Sequence, residues 1–138
     1  ELSSKRSYNT MSAFSHPGLT DALMKAALPA ILANLPKEWR GTTFNNSNLL
    51  GRATFSTGLA ALIVSKGANI TTDDLTALGN AEDYLRVATN ISTVLEVALA
   101  VEAGIDVSQV FSFASSAMPI LAVLLTAGAP VHYYVDTE

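Results

Sequence analysis

Apolar positions recur at helical spacing along most of the chain, and the breaks between them carry the residues that begin and end helices. After Ser15-His16-Pro17-Gly18, Leu19, Leu23, Ala27, Ala30 and Leu35 share one face, which predicts a first helix over about 16–35 with proline in its opening turn. Pro29 lies inside it and removes the hydrogen bond to the Lys25 carbonyl, so a kink is expected there, and Pro36 restricts Leu35 and ends the helix. A polar loop from Lys37 follows, in which Trp39 is expected to lie over the core as a lid or to serve as an interfacial anchor. A second helix is predicted over about 47–66, with Leu50, Thr54, Leu59, Leu62 and Ile63 on its face and Lys66-Gly67 closing it. Asp73 and Asp74 then suit the positive end of a short helix near 73–78.

Asn80 reads as the cap of a longer helix over about 81–103, with Tyr84, Leu85, Val87, Ile91, Val94, Leu95, Ala98, Leu99 and Val101 running to Gly104. The most apolar stretch comes next: between Asp106 and Asp136 there is no Asp, Glu, Lys or Arg. Asp106 with Gln109 three residues on resembles a capping box, and Gly128 and Pro130 supply a stop, so a helix over about 107–127 is predicted. At 1.5 Å per residue about 21 residues span roughly 31 Å, the thickness of a bilayer's hydrocarbon. Ser108, Gln109, Ser112, Ser115, Ser116 and Pro119 favour instead the buried centre of a bundle. The short link at 104–106 makes these last two helices antiparallel neighbours, with Ser108, Ser112 and Ser116 facing Ala88, Ser92, Ala100 and Gly104 at close approach. The expected fold is all-α: a bundle of four main helices and one short one over 15–128, with extended arms at 1–14 and 129–138. Tyr8, Met11 and Phe14 on the first arm and His132, Tyr133 and Tyr134 on the second are available to dock on a neighbour.

Composition changes this picture in one direction. The 138 residues suffice for one domain, and 12 acids against 8 bases, with no basic cluster larger than Lys5-Arg6, give no footprint for nucleic acid. There is no cysteine, so disulfides, thiolate metal sites and cysteine nucleophiles are excluded. At 49% hydrophobic and 14% charged the chain has fewer charges than the usual soluble domain, which implies that part of its surface is covered by something else. The opening segment, Glu1 to Thr10, is Ser-rich and locally basic, resembling the surroundings of a transit-peptide junction, so a plastid or mitochondrial setting is the expected localisation.

Candidate chemistry is sparse. His16 and His132 are far apart in sequence and no metal-ligand spacing accompanies them, so no metal site is expected. Glu96 stands out because it interrupts an uncharged run from Val87 to Val101. It is expected to lie exposed or ion-paired on the outer face of its helix, with a ligand or pigment-metal role as the alternative. If buried it needs a cation, a metal or solvent, with Arg52 and Arg86 the candidate partners. Gly51-Arg52 at the head of an apolar helix resembles the Gly-Arg pair of light-harvesting and related stress-protein helices. Ser47 stands where that family has Glu, and Thr54-Phe55 where it has Ala-Met; the two matching residues imply a photosynthetic-membrane setting and no more. Three glycosylation sequons occur, at Asn45, Asn69 and Asn90, the last within a predicted helix. Phosphate loops, nucleophile elbows and dinucleotide fingerprints do not occur. The functional expectation is a non-enzymatic helical accessory subunit, docked on other protein subunits in a membrane-associated complex. Its interaction residues would be Trp39, Tyr133, Tyr134, Ser108, Ser112 and Ser116. Two alternatives stand beside it: a soluble module holding a lipid or pigment, and a small enzyme using Glu96 with an arginine.

Overall fold

The computed structural model describes residues 16, 18–40, 50–81, 89–113 and 115–128. The fold is all-α, with no strand among the described residues. Among the described residues five α-helices follow in order: α1 (Asp21–Ala33), α2 (Arg52–Lys66), α3 (Thr72–Ala77), α4 (Asn90–Ala103) and α5 (Ala117–Thr126), with 3-10 turns at Lys37–Arg40, Gly67–Asn69 and Val107–Gln109.

Helix α1 begins five residues later than its proline suggests. Gly18 takes a φ of 93°, and Thr20 becomes the cap, its hydroxyl accepting the Leu23 N–H. The helix passes through Pro29 and ends at Asn34, whose side-chain amide donates to the carbonyls of Ala30 and Ile70 at 3.0 Å each. That bond ties the end of α1 to the turn after α2. Helix α2 starts at Arg52 rather than Ser47, because Gly51 sits at φ 76° and breaks the helical path just ahead of it. Its buried face is Phe55, Ser56, Leu59, Ala60 and Ile63; Leu50 and Thr54, expected there, are exposed.

Met24, Ala27 and Ile31 of α1, Phe55, Leu59 and Ile63 of α2, Ile70, Leu75 of α3, and Val94 and Val97 of α4 form one core. Trp39 closes one side of it, its ring meeting Phe55 edge-on with centroids 5.5 Å apart. The tryptophan thus lies as a lid over the core, 8% exposed.

Helix α3 is set by a reciprocal cap in which Thr71 accepts the Asp74 N–H while the Asp74 carboxylate accepts the Thr71 N–H and hydroxyl. Lys66, at the end of α2, pairs with the same carboxylate. The lysine bond and the two threonine bonds together pull the Asp74 pKa down to about 2. Because the folded pKa lies below the unfolded one, this group stabilises the fold fully above about pH 4 and ceases to do so as the pH falls towards 2. Denaturant titrations of Asp74→Asn and the parent chain at a series of pH values are expected to differ most above pH 4 and to converge near pH 2. Curves that stay parallel down to pH 2 would show that the cap and the lysine contact do not act through the charge.

Helix α4 starts at Asn90, nine residues after the position expected from Asn80, with a Thr89–Ser92 capping box. Asn80 turns out not to be its cap. The side chain of Asn90, buried at the head of α4, instead holds the preceding strap: its Oδ1 accepts the Ala81 N–H at 2.7 Å, and its Nδ2 donates to the Asn80 side chain and the Gly79 carbonyl. At the other end Gly104 adopts the left-handed conformation at φ 65°, and Ile105 N–H returns to the Ala100 carbonyl.

The expected helix over 107–127 is not formed as one piece. It is divided into the turn at Val107–Gln109, a non-helical stretch over 110–113 that opens with extended Val110, and α5. No helix among the described residues is long and apolar enough to cross a membrane. The antiparallel pair of long helices is lost with it, and Ser108, Ser112 and Ser116 lie on no common helical face. Residues 1–15, 41–49, 82–88 and 129–138, which include both arms, Ala88, Arg86, Tyr133 and Tyr134, lie outside the described residues.

Candidate functional site

The break in the predicted helix is where a buried charge sits. Glu96 occupies the inward face of α4 with Thr93, Val97 and Ala100, not the outer face expected of it, and its side chain retains 4% of its accessibility. Arg52, in the first turn of α2, reaches it: Nε donates to Oε2 at 2.7 Å. The other carboxylate oxygen accepts both the N–H of Ser112 at 2.8 Å and its hydroxyl at 2.9 Å. Nη2 of Arg52 donates to the carbonyls of Val107 and Val110, and the guanidinium lies over the Phe111 ring, 4.6 Å from its centroid.

One arginine and one glutamate thus hold a single segment, 107–112, on both its carbonyl and its N–H sides. This explains why no helix forms there. In a continuous helix the Val107 and Val110 carbonyls would accept from residues four further on, and the Ser112 N–H would donate to Ser108. The buried ion pair takes these groups over, because it requires further donors and acceptors to offset its desolvation. Valine, serine and phenylalanine are also mediocre helix formers, so little propensity opposes the change. Pro119 then falls in the first turn of α5, where its missing N–H costs nothing.

The structure accordingly brings Glu96, Arg52 and Ser112 together. It leaves Ser108 exposed in the 3-10 turn, its N–H donating to Asp106, and Ser116 exposed ahead of α5 without a capping bond. The Val107 and Val110 carbonyls and Phe111 were missed in the sequence. Both Glu96 oxygens have protein partners and the pair is turned inward, a geometry suited to fastening a segment. No group of three or more His, Asp or Glu able to hold a metal occurs among the described residues.

Beyond the fastener the surface changes character. No residue of α5 is buried, yet nine of its ten side chains are apolar, and Met118, Leu121, Val123, Leu124 and Leu125 are all exposed, Leu125 at 77%. Phe113 precedes it and is exposed as well. Between the end of α4 and the 105–111 segment lies an open groove of about 470 Å³, lined by the apolar Leu99, Ala103, Ile105, Val110 and Phe111 and by the polar Glu102 and Gln109. Leu95 and Leu99 add exposed apolar surface along α4.

The chain has no significant match among protein-family models, curated protein sequences or solved structures.

Proposed function

We propose that the protein is a non-enzymatic helical accessory subunit whose packed body, α1 to α4, presents an apolar limb, residues 110–128, to a larger, membrane-associated assembly. The observation that carries this reading is α5: a helix apolar on all sides is ordinarily a buried one, and here none of its residues is buried within the chain. The Arg52–Glu96 fastener supports it by fixing the root of the limb against the body, so that the apolar helix is displayed at a set place. Under this reading the organellar setting and the docking role of Tyr133 and Tyr134 stay part of the proposal.

Native gel electrophoresis of extracts in mild detergent provides the test. The chain is expected to migrate in a particle larger than its own 14.5 kDa, and a Leu121→Glu/Leu124→Glu/Leu125→Glu variant is expected to be released from it with its helical content intact. A parent chain that migrates alone, or a variant that stays in the particle, would remove the limb as the docking element.

A second reading rests on the groove beside α4. Its volume suits a small apolar ligand such as a lipid or pigment, and Glu102 would give that ligand a polar point of attachment. Its open form favours surface contact over enclosure, which is why it takes second place. Native mass spectrometry of the purified chain, showing a retained small molecule, would reverse the order.

A further inference from the structure

The exposed limb raises the question of what covers it, and three properties of α5 point to one class of occupant. The first is the distribution of its apolar side chains. Successive residues on a helix are about 100° apart, so Val123, Leu124 and Leu125, all exposed, already face three different directions; Met118 and Leu121 lie on the Leu124–Leu125 side, and the arc between Met118 and Val123 holds Ala122, Thr126 and Pro119. A protein surface covers one face of a helix, whereas acyl chains surround it.

The second is length. Ten residues reach about 15 Å, half of the roughly 30 Å hydrocarbon thickness. The helix therefore suits one leaflet and cannot cross two. The third is how its polar groups are satisfied. Thr126 is the only polar side chain in α5, and its hydroxyl donates back to the Ala122 and Val123 carbonyls, while Pro119 removes one of the orphan N–H groups of the first turn. The helix thus carries few groups that lose hydrogen bonds on leaving water.

We propose that α5 inserts into a single leaflet of a lipid bilayer, with Phe113 following it into the interface and the α1–α4 body remaining in water. This inference rests on the reading of the limb as the docking element and names the lipid that covers it. Charge plays no part in the attachment. No Lys or Arg occurs between Asp106 and Asp136 and the chain carries a net charge of −4, so anionic headgroups offer no attraction.

Flotation of the full chain with vesicles tests it, using phosphatidylcholine alone and phosphatidylcholine with a fifth of phosphatidylglycerol, each at low and high salt. The expected result is flotation with phosphatidylcholine that salt does not change and flotation with the anionic vesicles that is no greater at low salt than at high, with at least a tenfold loss of the bound fraction for Leu121→Glu/Leu124→Glu/Leu125→Glu. Leu125→Glu alone, at the most exposed position, provides a variant that leaves the fold unchanged, and it is expected to lose several-fold. Failure of the parent chain to float, flotation confined to anionic vesicles at low salt, or unchanged flotation of the variants would each overturn the proposal. A chain that does not float but forms a lipid-free dimer, split by the same substitutions, would identify a second copy as the occupant. Failure to float while the native particle still releases the triple variant would refute lipid insertion alone and leave the docking role standing.

Discussion

Replacing Arg52 with methionine is expected to destabilise the protein by about 3–5 kcal/mol, the cost of leaving a buried carboxylate without its cation. Glu96 would keep only the two Ser112 bonds, and the 107–112 segment would lose the donors to the Val107 and Val110 carbonyls together with the ring contact to Phe111. Glu96→Gln should cost less, about 1.5–3 kcal/mol: its amide accepts through one oxygen only, so its NH2 must face a donor of Arg52 or Ser112, but no uncompensated charge is left in the core and the arginine keeps its carbonyl partners and 21% of its exposure. The asymmetry is the informative quantity. Urea unfolding followed by circular dichroism gives both values, and the double variant should be more stable than Arg52→Met alone, since the uncompensated charge has gone. Equal losses for the two single variants would mean that the carboxylate is solvated in solution and that the segment is held by something other than this pair.

Phe55→Ala is expected to cost a similar amount, about 3–5 kcal/mol, by a different route. Phe55 is fully buried at the centre of the core, where its ring supports Trp39, and truncation would leave a cavity that the surrounding helices fill only in part. Trp39 is the only tryptophan, so its emission should shift to the red as the lid loosens, reporting the local change beside the global one. The contrasting control is Leu125→Ala on α5, an exposed position with nothing packed on it, for which a change within about 0.5 kcal/mol is expected. A Phe55→Ala loss no larger than the control would mean that α1, α2 and α4 do not share this core.

What the sequence made legible follows from where local chemistry decides the structure. Helix ends with their own caps were readable: Gly67, Gly104 and the acids of α3 lie close to where they were expected, because a cap acts within one turn. Glu96 could be singled out as a lone charge in an apolar run, and Arg52 was one of two cations named for it; Arg86 lies outside the described residues. The extent of the last helix could not be read. Its apolar residues at 107–116 carry no local sign that their backbone is claimed by side chains more than ten residues away in sequence, and a propensity summed over the segment counts each residue against its neighbours alone. Ser112 shows the difference most plainly. Its small size suggested close contact between helices, whereas its two hydrogens to Glu96 are what the fold uses. Asn80 failed for a related reason: it is a good cap by type, but Asn90, ten residues on, holds its side chain.

The Asn90 side chain has a further consequence, in the order of events during biosynthesis. Asn90-Ile91-Ser92 is a sequon for attachment of a glycan to the very nitrogen that donates to Asn80 and Gly79 at a site 5% exposed. In the folded protein that nitrogen is out of reach of a transferase. In a chain emerging unfolded into a glycosylating compartment it is accessible, and a sugar placed there could not fit beneath the strap at 79–81 as α4 formed. Folding and modification at this residue are mutually exclusive, and whichever comes first forecloses the other. Production of the protein through a secretory host would therefore yield two populations, one native and one permanently barred from closing the head of α4, in a ratio set by how early α4 folds.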